Sequence, residues 1–150
     1  MSYRAKGGAI PGWVAAGLIV VAMPVTAVAQ DTSSQMQLIS VALDLYSGDK
    51  NSKGFADALT AAVSGDNRFT VVTQLPPDGL KIIMKEALVS QDTDMQTNAS
   101  YDVVMKLGNG KFIDEKRGYC DLARLDMCGR VVAQDSFDAY QAYIAHHKPK

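Results

Sequence analysis

The chain has 150 residues, with 15 basic and 16 acidic side chains and a formal net charge of −1. This balance lacks the basic excess that is typical of nucleic-acid-binding domains. Once the apolar N-terminal segment is set aside, about 120 residues remain, enough for one hydrophobic core but not for two. We therefore expect a single domain with no nucleic-acid partner.

The first 29 residues have the pattern of a secretory signal peptide. Arg4 and Lys6 precede an apolar run from Ala9 to Val28, and small residues suit cleavage by signal peptidase after Ala29. An uncleaved inner-membrane anchor is the alternative, because a run of about 20 apolar residues is long enough to cross a bilayer. Residues 30–36 are polar and predict a flexible tether.

Removal of the signal peptide changes the charge balance of the chain. It takes away Arg4 and Lys6 but no acidic residue, so 13 basic side chains face 16 acidic ones, a net charge of about −3. We expect the mature protein to be periplasmic or secreted, with no membrane attachment after cleavage. The sequence leaves its oligomeric state open.

The first half of the mature chain predicts a strand, a helix and a second strand. In residues 36–46, alternate apolar side chains predict a strand with one buried face. Residues 53–65 have apolar side chains at helical spacing, with Ser52 as the expected N-cap and Gly65 as a left-handed C-cap. Residues 68–74 are rich in valine and threonine and predict a second strand. The strand, helix and strand together predict a right-handed βαβ unit with parallel strands.

The second half predicts strands and a closing helix. Leu80 to Ser90 fits both a helix and a strand, and we favour a strand; Gln91 to Ser100 is polar and predicts a loop. The turn sequence at residues 108–110 separates two strand-like runs and predicts a hairpin. A long helix is expected from Leu122.

Together these elements predict an α+β fold. We expect a βαβ unit, an antiparallel hairpin and a C-terminal helix, with a mixed sheet of about five strands and two helices. The domain spans residues 37–147, and residues 148–150 form a tail.

Both cysteines of the chain, Cys120 and Cys128, lie in the exported part. An even number of cysteines in an oxidising compartment predicts a disulfide, which would pin the last helix to the edge of the sheet. This geometry requires a turn between the two cysteines, because their Cα atoms must lie within about 7 Å. Neither a zinc site nor a redox motif is predicted, since no CxxC spacing is present.

The chain shows no motif for catalysis or for a cofactor. The carboxylate pairs Asp44 with Asp49 and Asp92 with Asp94 have no supporting pattern, and His146 and His147 lie near the terminus, where a base would be poorly positioned. We therefore predict no catalytic residue, no metal site and no cofactor.

One segment resembles a known family. The nonapeptide from Phe55 to Val63, followed by Arg68-Phe69-Thr70-Val71-Val72, is similar to the amino-terminal, anticodon-binding-like domain of the Tol-Pal propeller protein and to the corresponding unit of curli-secretion lipoproteins. The tail from Gly118 to Cys128 resembles small uncharacterised exported bacterial proteins with paired cysteines. The resemblance implies an α/β unit that serves an envelope assembly without catalysis, and it assigns no functional residue.

These observations predict a periplasmic, non-catalytic module that binds an envelope protein partner. Exposed edges of a small sheet are recognition surfaces for extended peptides. A small periplasmic hydrolase or ligand-binding protein with a dispersed site is the first alternative, and a perturbed carboxylate in a cleft, such as Asp44, would favour it. An inner-membrane-anchored subunit is the second.

Overall fold

The computed structural model describes residues 38–93 and 96–147, which form one small α+β domain. The predicted signal peptide, the tether and the tail after residue 147 lie outside the described residues. The elements in chain order are β1 (Ile39–Leu45), α1 (Lys50–Ser64), β2 (Phe69–Val71), β3 (Leu80–Met84), β4 (Val89–Thr93), β5 (Gln96–Leu107), β6 (Phe112–Asp121) and α2 (Leu125–His147). A short 3-10 turn at Leu122–Arg124 precedes α2.

The six strands form one mixed sheet. β1 pairs in parallel with β2 on one side and with β3 on the other, as the βαβ pattern predicts. β5 is antiparallel to its three neighbours. Along one of its edges, β4 pairs with the first half of β5 and β3 with the second half. β6 pairs with the other edge of β5. The predicted α+β class, the mixed sheet, the hairpin and the C-terminal helix are confirmed.

The core lies between the sheet and the two helices, which pack against each other. Alternate residues of β1, β3 and β5 point to this side of the sheet because side chains alternate along a strand. The fully buried members include Val41, Leu80, Ile82, Val103 and Met105 from the sheet, Phe55 and Leu59 from α1, and Val132 from α2. Within the described residues, no helix has both the length and the apolar character needed to cross a membrane.

The ends of α1 differ from the prediction. Asp49, not Ser52, is the N-cap, and its Oδ1 accepts hydrogen bonds from the Asn51 and Ser52 amides, each at 3.0 Å. Ser52 lies in the first turn and is buried. Gly65 ends the helix at φ −85° instead of the left-handed region, and its amide donates to the carbonyl of Ala61.

The predicted loop at residues 91–100 is wrong, because most of this segment belongs to β4 and β5. Its polar residues lie in strands held by backbone ladders, with Gln91 opposite Asn98 and Ser90 opposite Ala99. Leu80 to Ser90 was predicted to be a strand, and both ends of this segment are strands: β3 begins at Leu80, and β4 includes Val89 and Ser90. Residues 85–88 between them belong to neither strand, so β3 and β4 pair with β5 in different registers.

Candidate functional site

The outer side of β6 from Asp114 to Asp121, here named the β6 edge, is the candidate site. β6 pairs with β5, and among the described residues no strand pairs with its other side. The Leu107 amide donates to the Lys111 carbonyl at 2.8 Å, so the odd-numbered residues of β5 direct their backbone groups to β6. A β-bulge at Ile113 shifts the register by one residue, so Met105 lies opposite Asp114 and the even-numbered residues from Asp114 onward face β5. Since hydrogen-bonded pairs alternate in an antiparallel ladder, Glu115, Arg117 and Tyr119 direct their backbone groups outward.

A local hydrogen bond agrees with this assignment. The Glu115 amide donates to Oδ1 of Asp114 at 2.8 Å and not to β5. The Asp114 carboxylate also contacts the Lys116 ammonium at 3.0 Å. Burial raises the pKa of Asp114, but the hydrogen bonds from Lys116 and from the Glu115 amide outweigh it and hold the pKa below its usual value. The Asp114 side chain thus accepts from one of the backbone N–H groups of the β6 edge, that of Glu115.

Charged residues of both signs lie side by side on β6. Arg117 is 74% exposed on the outer face of the sheet, and its Nε lies 2.8 Å from Oδ2 of Asp102 on β5. Its guanidinium also contacts Glu115, two residues earlier on the same strand. On the opposite face, Asp114 pairs with Lys116. The sequence order along the strand is therefore two acidic residues followed by two basic ones.

An apolar groove of about 180 Å³ lies beside the end of β6. Its exposed apolar side chains are Tyr119, which is 71% exposed, and Met127 and Val131 of α2, which are 48% and 51% exposed. Tyr101, Cys128, Asp121 and Arg124 complete the lining. This arrangement places exposed apolar surface directly next to open backbone hydrogen-bonding groups, a combination that an extended peptide can use.

A second groove of about 420 Å³ also has Tyr119 and Arg117 in its wall. It includes Asp102 and Val89, the latter 61% exposed and placed near the start of β4. Tyr101 and Tyr119 line both grooves, so the two grooves are neighbours. The β6 edge is therefore bordered by accessible space where Tyr119 lies.

The disulfide between Cys120 and Cys128 fixes the wall of the apolar groove. Cys120 is buried at the end of β6, and Cys128 lies in the first turns of α2, with 5.9 Å between their Cα atoms. The 3-10 turn at Leu122–Arg124 separates them, and the Asp121 carboxylate begins this turn by accepting from the Ala123 amide at 2.9 Å. Met127 and Val131 are thereby held beside the strand.

Of the two carboxylate pairs considered for catalysis, the structure describes Asp44 and Asp49, and it does not bring them into one cleft. Asp44 is exposed on the sheet and pairs with Lys81 at 2.9 Å, whereas Asp49 caps α1. The Asp92 side chain and Asp94 lie outside the described residues. His147 is exposed near the end of α2, and its Nδ1 lies 2.9 Å from the Tyr143 carbonyl. In the described part of the chain, no three His, Cys, Asp or Glu side chains form a group able to hold a metal ion.

A further groove, of about 770 Å³, lies between α1 and α2. Small residues of α1, including Ala58, Ala61 and Ala62, form much of its lining. The charged residues beside them are paired: Asp66 with Arg68, and Asp126 with Arg130 at 2.7 Å. The hydrogen bond from Arg68 lowers the pKa of Asp66 despite partial burial, so this carboxylate is poorly suited to act as an acid or base near neutral pH.

Comparison with known proteins finds similarity among solved structures. No protein-family model matches the chain, and no curated protein matches it at a significant level. The solved structures that it resembles include a minor lipoprotein from Acinetobacter baumannii, with 10% sequence identity and a TM-score of 0.46 over 66% of this chain and 93% of that one. At this identity and TM-score, the similarity says nothing about activity, partners or location.

Proposed function

We propose that this protein is a periplasmic, non-catalytic binding module of the cell envelope, and that it binds by accepting a strand from another polypeptide at the β6 edge. The proposal rests on one observation. Glu115, Arg117 and Tyr119 direct backbone groups outward beside an exposed apolar groove. An added strand would gain main-chain hydrogen bonds from the edge and place alternate side chains in the groove.

The rigidity of this region supports a binding role. The disulfide joins the end of β6 to α2, so the backbone edge and the side chains of Met127 and Val131 keep a fixed relation. A preformed surface loses less conformational entropy when a peptide binds. The export part of the proposal is supported by the signal-like N-terminal sequence and by the disulfide, which is typical of oxidising compartments.

Asp44, which would favour the hydrolase alternative if it lay perturbed in a cleft, gives that alternative no support. Its carboxylate is exposed, pairs with Lys81, and is not part of the lining of the three grooves. The membrane-anchored alternative depends on the first 29 residues, which lie outside the described part of the chain.

The test is a crosslinked pull-down from the native cell envelope with two variants of one residue. Arg117→Pro removes an outward N–H that β5 does not use, whereas Arg117→Ala removes the side chain and keeps this donor. We expect the crosslinked partner to be recovered with wild type and Arg117→Ala and lost with Arg117→Pro, provided that circular dichroism shows all three to be folded. Equal recovery with both variants would contradict binding at the β6 edge.

A further inference from the structure

We propose that the strand accepted at the β6 edge is β6 of a second copy of this chain, so that two sheets join into one across a twofold axis. This inference rests on the proposed function, since it names the partner of the same edge. It comes from the charges of β6, which run from acidic to basic along the strand. A strand of that order is complementary to itself when it is turned antiparallel.

The twofold axis passes through Lys116. An antiparallel pair centred there places residues 114–118 opposite residues 118–114 of the second copy, and the β-bulge at Ile113 interrupts regular pairing beyond them. Glu115 then faces Arg117 of the other copy on the outer face of the sheet, and the symmetry makes this contact twice. Opposite charges placed directly across two strands stabilise the pairing.

Backbone geometry is compatible with this register. Both Glu115 and Arg117 direct their N–H and C=O groups outward, so the facing residues can form a hydrogen-bonded pair. The Glu115 amide would exchange its bond to the Asp114 carboxylate for one to the carbonyl of Arg117 in the second copy. Lys116 points its backbone groups to β5, so the central pair is a non-hydrogen-bonded one with closely spaced side chains.

In this register the Lys116 side chains of the two copies lie next to each other, and each has the Asp114 carboxylate of its own copy beside it. Lys116 bonds to Asp114 at 3.0 Å, and this hydrogen bond, together with the nearby charges of Asp114 and Asp135, raises the lysine pKa. A pair centred on Glu115 would instead place two glutamates together. A pair centred on Arg117 would place two guanidinium groups together.

Tyr119 lies two residues beyond Arg117 and therefore on the same outer face of the strand. With Lys116 at the centre, it lies beside the β-bulge of the second copy, where Ile113 packs against the core. Tyr119 is 71% exposed and is the largest exposed apolar side chain of the strand that points away from the core. This contact would cover apolar surface next to the groove that contains Met127 and Val131.

Charge reversal and charge exchange test the pairing through the dimer dissociation constant, measured by sedimentation equilibrium. Glu115→Arg and Arg117→Glu each place like charges opposite one another twice, so each should weaken dimerisation by about tenfold or more. The double exchange Glu115→Arg with Arg117→Glu restores opposite charges and should return the constant to near its wild-type value. A simple loss of fold would not be rescued by the second substitution.

Disulfide trapping tests the register. Lys116→Cys introduces one free thiol at the twofold axis, because the two native cysteines are bonded to each other. Oxidation should yield a covalent dimer on non-reducing gels, and the neighbouring substitutions Glu115→Cys and Arg117→Cys should yield much less, since neither residue faces its own copy. Efficient trapping at 115 or 117 instead of 116 would overturn the register.

The outcome for the dimer is distinguishable from the outcome for the proposed function. A wild-type protein that remains monomeric at every concentration, or a double exchange that fails to restore dimerisation, overturns the inference. If Arg117→Pro still abolishes envelope crosslinking in that case, the edge binds a different polypeptide and the proposed function stands. If the dimer forms but Arg117→Pro leaves it intact, the two copies join at another surface and the inference is wrong, whereas the proposed function is still decided by the envelope crosslinking of Arg117→Pro.

Discussion

The hydroxyl of Ser52 accepts a hydrogen bond from the amide of Leu88 at 2.9 Å, and both residues are buried. This contact joins the first turn of α1 to the irregular segment between β3 and β4. The segment has no partner in the sheet ladder at this point, so the serine oxygen takes the place of a strand carbonyl.

Ser52→Ala should lower the free energy of unfolding by about 1–3 kcal/mol, because it leaves the Leu88 amide buried without an acceptor. Urea unfolding monitored by circular dichroism measures the change. Ser64→Ala is the matched control at an exposed position of the same helix, and it should be close to neutral. Equal effects of the two substitutions would show that the Leu88 contact contributes nothing.

Gly129→Ala should destabilise the domain although alanine favours a helix more than glycine does. A Cβ at this position would lie 2.6 Å from the carbonyl oxygen of Ala58, so the two helices would have to move apart. Gly54→Ala is the control, because its Cβ would meet only the end of the flexible Leu125 side chain at 2.8 Å. Thermal unfolding should show a lower Tm for Gly129→Ala and a much smaller change for Gly54→Ala.

Removal of the disulfide by Cys120→Ala with Cys128→Ala should lower the free energy of unfolding by about 2.5 kcal/mol in the chain-entropy description of a loop of this size. The cysteines are eight residues apart in sequence. Chemical denaturation measures the loss. A reductant should produce a similar loss in the wild type and no further change in the double variant; a double variant as stable as the oxidised wild type would contradict the expectation.

Asp66 should contribute to the dependence of stability on pH. Its hydrogen bonds to Arg68 lower the pKa of the folded state, so the contribution is complete above the pKa of the unfolded chain, about 3.9. It is lost as the pH falls through the lower pKa of the folded state. Below about pH 4, the urea concentration at the midpoint of unfolding should therefore fall less steeply with decreasing pH in Asp66→Asn than in the wild type.

Asp57→Asn is the control for Asp66, since Asp57 forms an exposed pair with Lys53 on one helix. Exposed pairs of this kind contribute little to stability. We expect the pH profile of this variant to follow that of the wild type. A wild-type profile in Asp66→Asn would show that the Asp66–Arg68 pair adds nothing to stability at low pH.

Much of the fold could be predicted from local patterns. The alternation in residues 39–45, the helical spacing from Phe55 to Val63 and the turn at Gly108 to Gly110 each depend on neighbours in sequence. Gly110 adopts φ +88°, a conformation that glycine tolerates readily. The strand residues 96–100 were not predictable in the same way, because they are polar and their pairing with β4 and β6 is a tertiary property.

The candidate site was harder to predict than the fold. Whether one side of β6 is unpaired depends on the order of strands in the sheet. The sequence around Glu115 and Arg117 does not indicate that β6 is an edge strand. The signal that could have been used is the exposed apolar set on α2, where Met127 and Val131 fall outside the core-facing stripe. The N-cap prediction failed for a similar reason, since Ser52 is needed by Leu88 in another element.

The bridge between Cys120 and Cys128 has a consequence for proteolysis. It spans the exposed turn residues Ala123 and Arg124, where a trypsin-like protease would find a cleavage site after the arginine. A cut there would produce two polypeptides that migrate separately only after reduction. The nicked protein would keep α2 covalently attached to the sheet, so a single cleavage in this turn would not by itself release the helix.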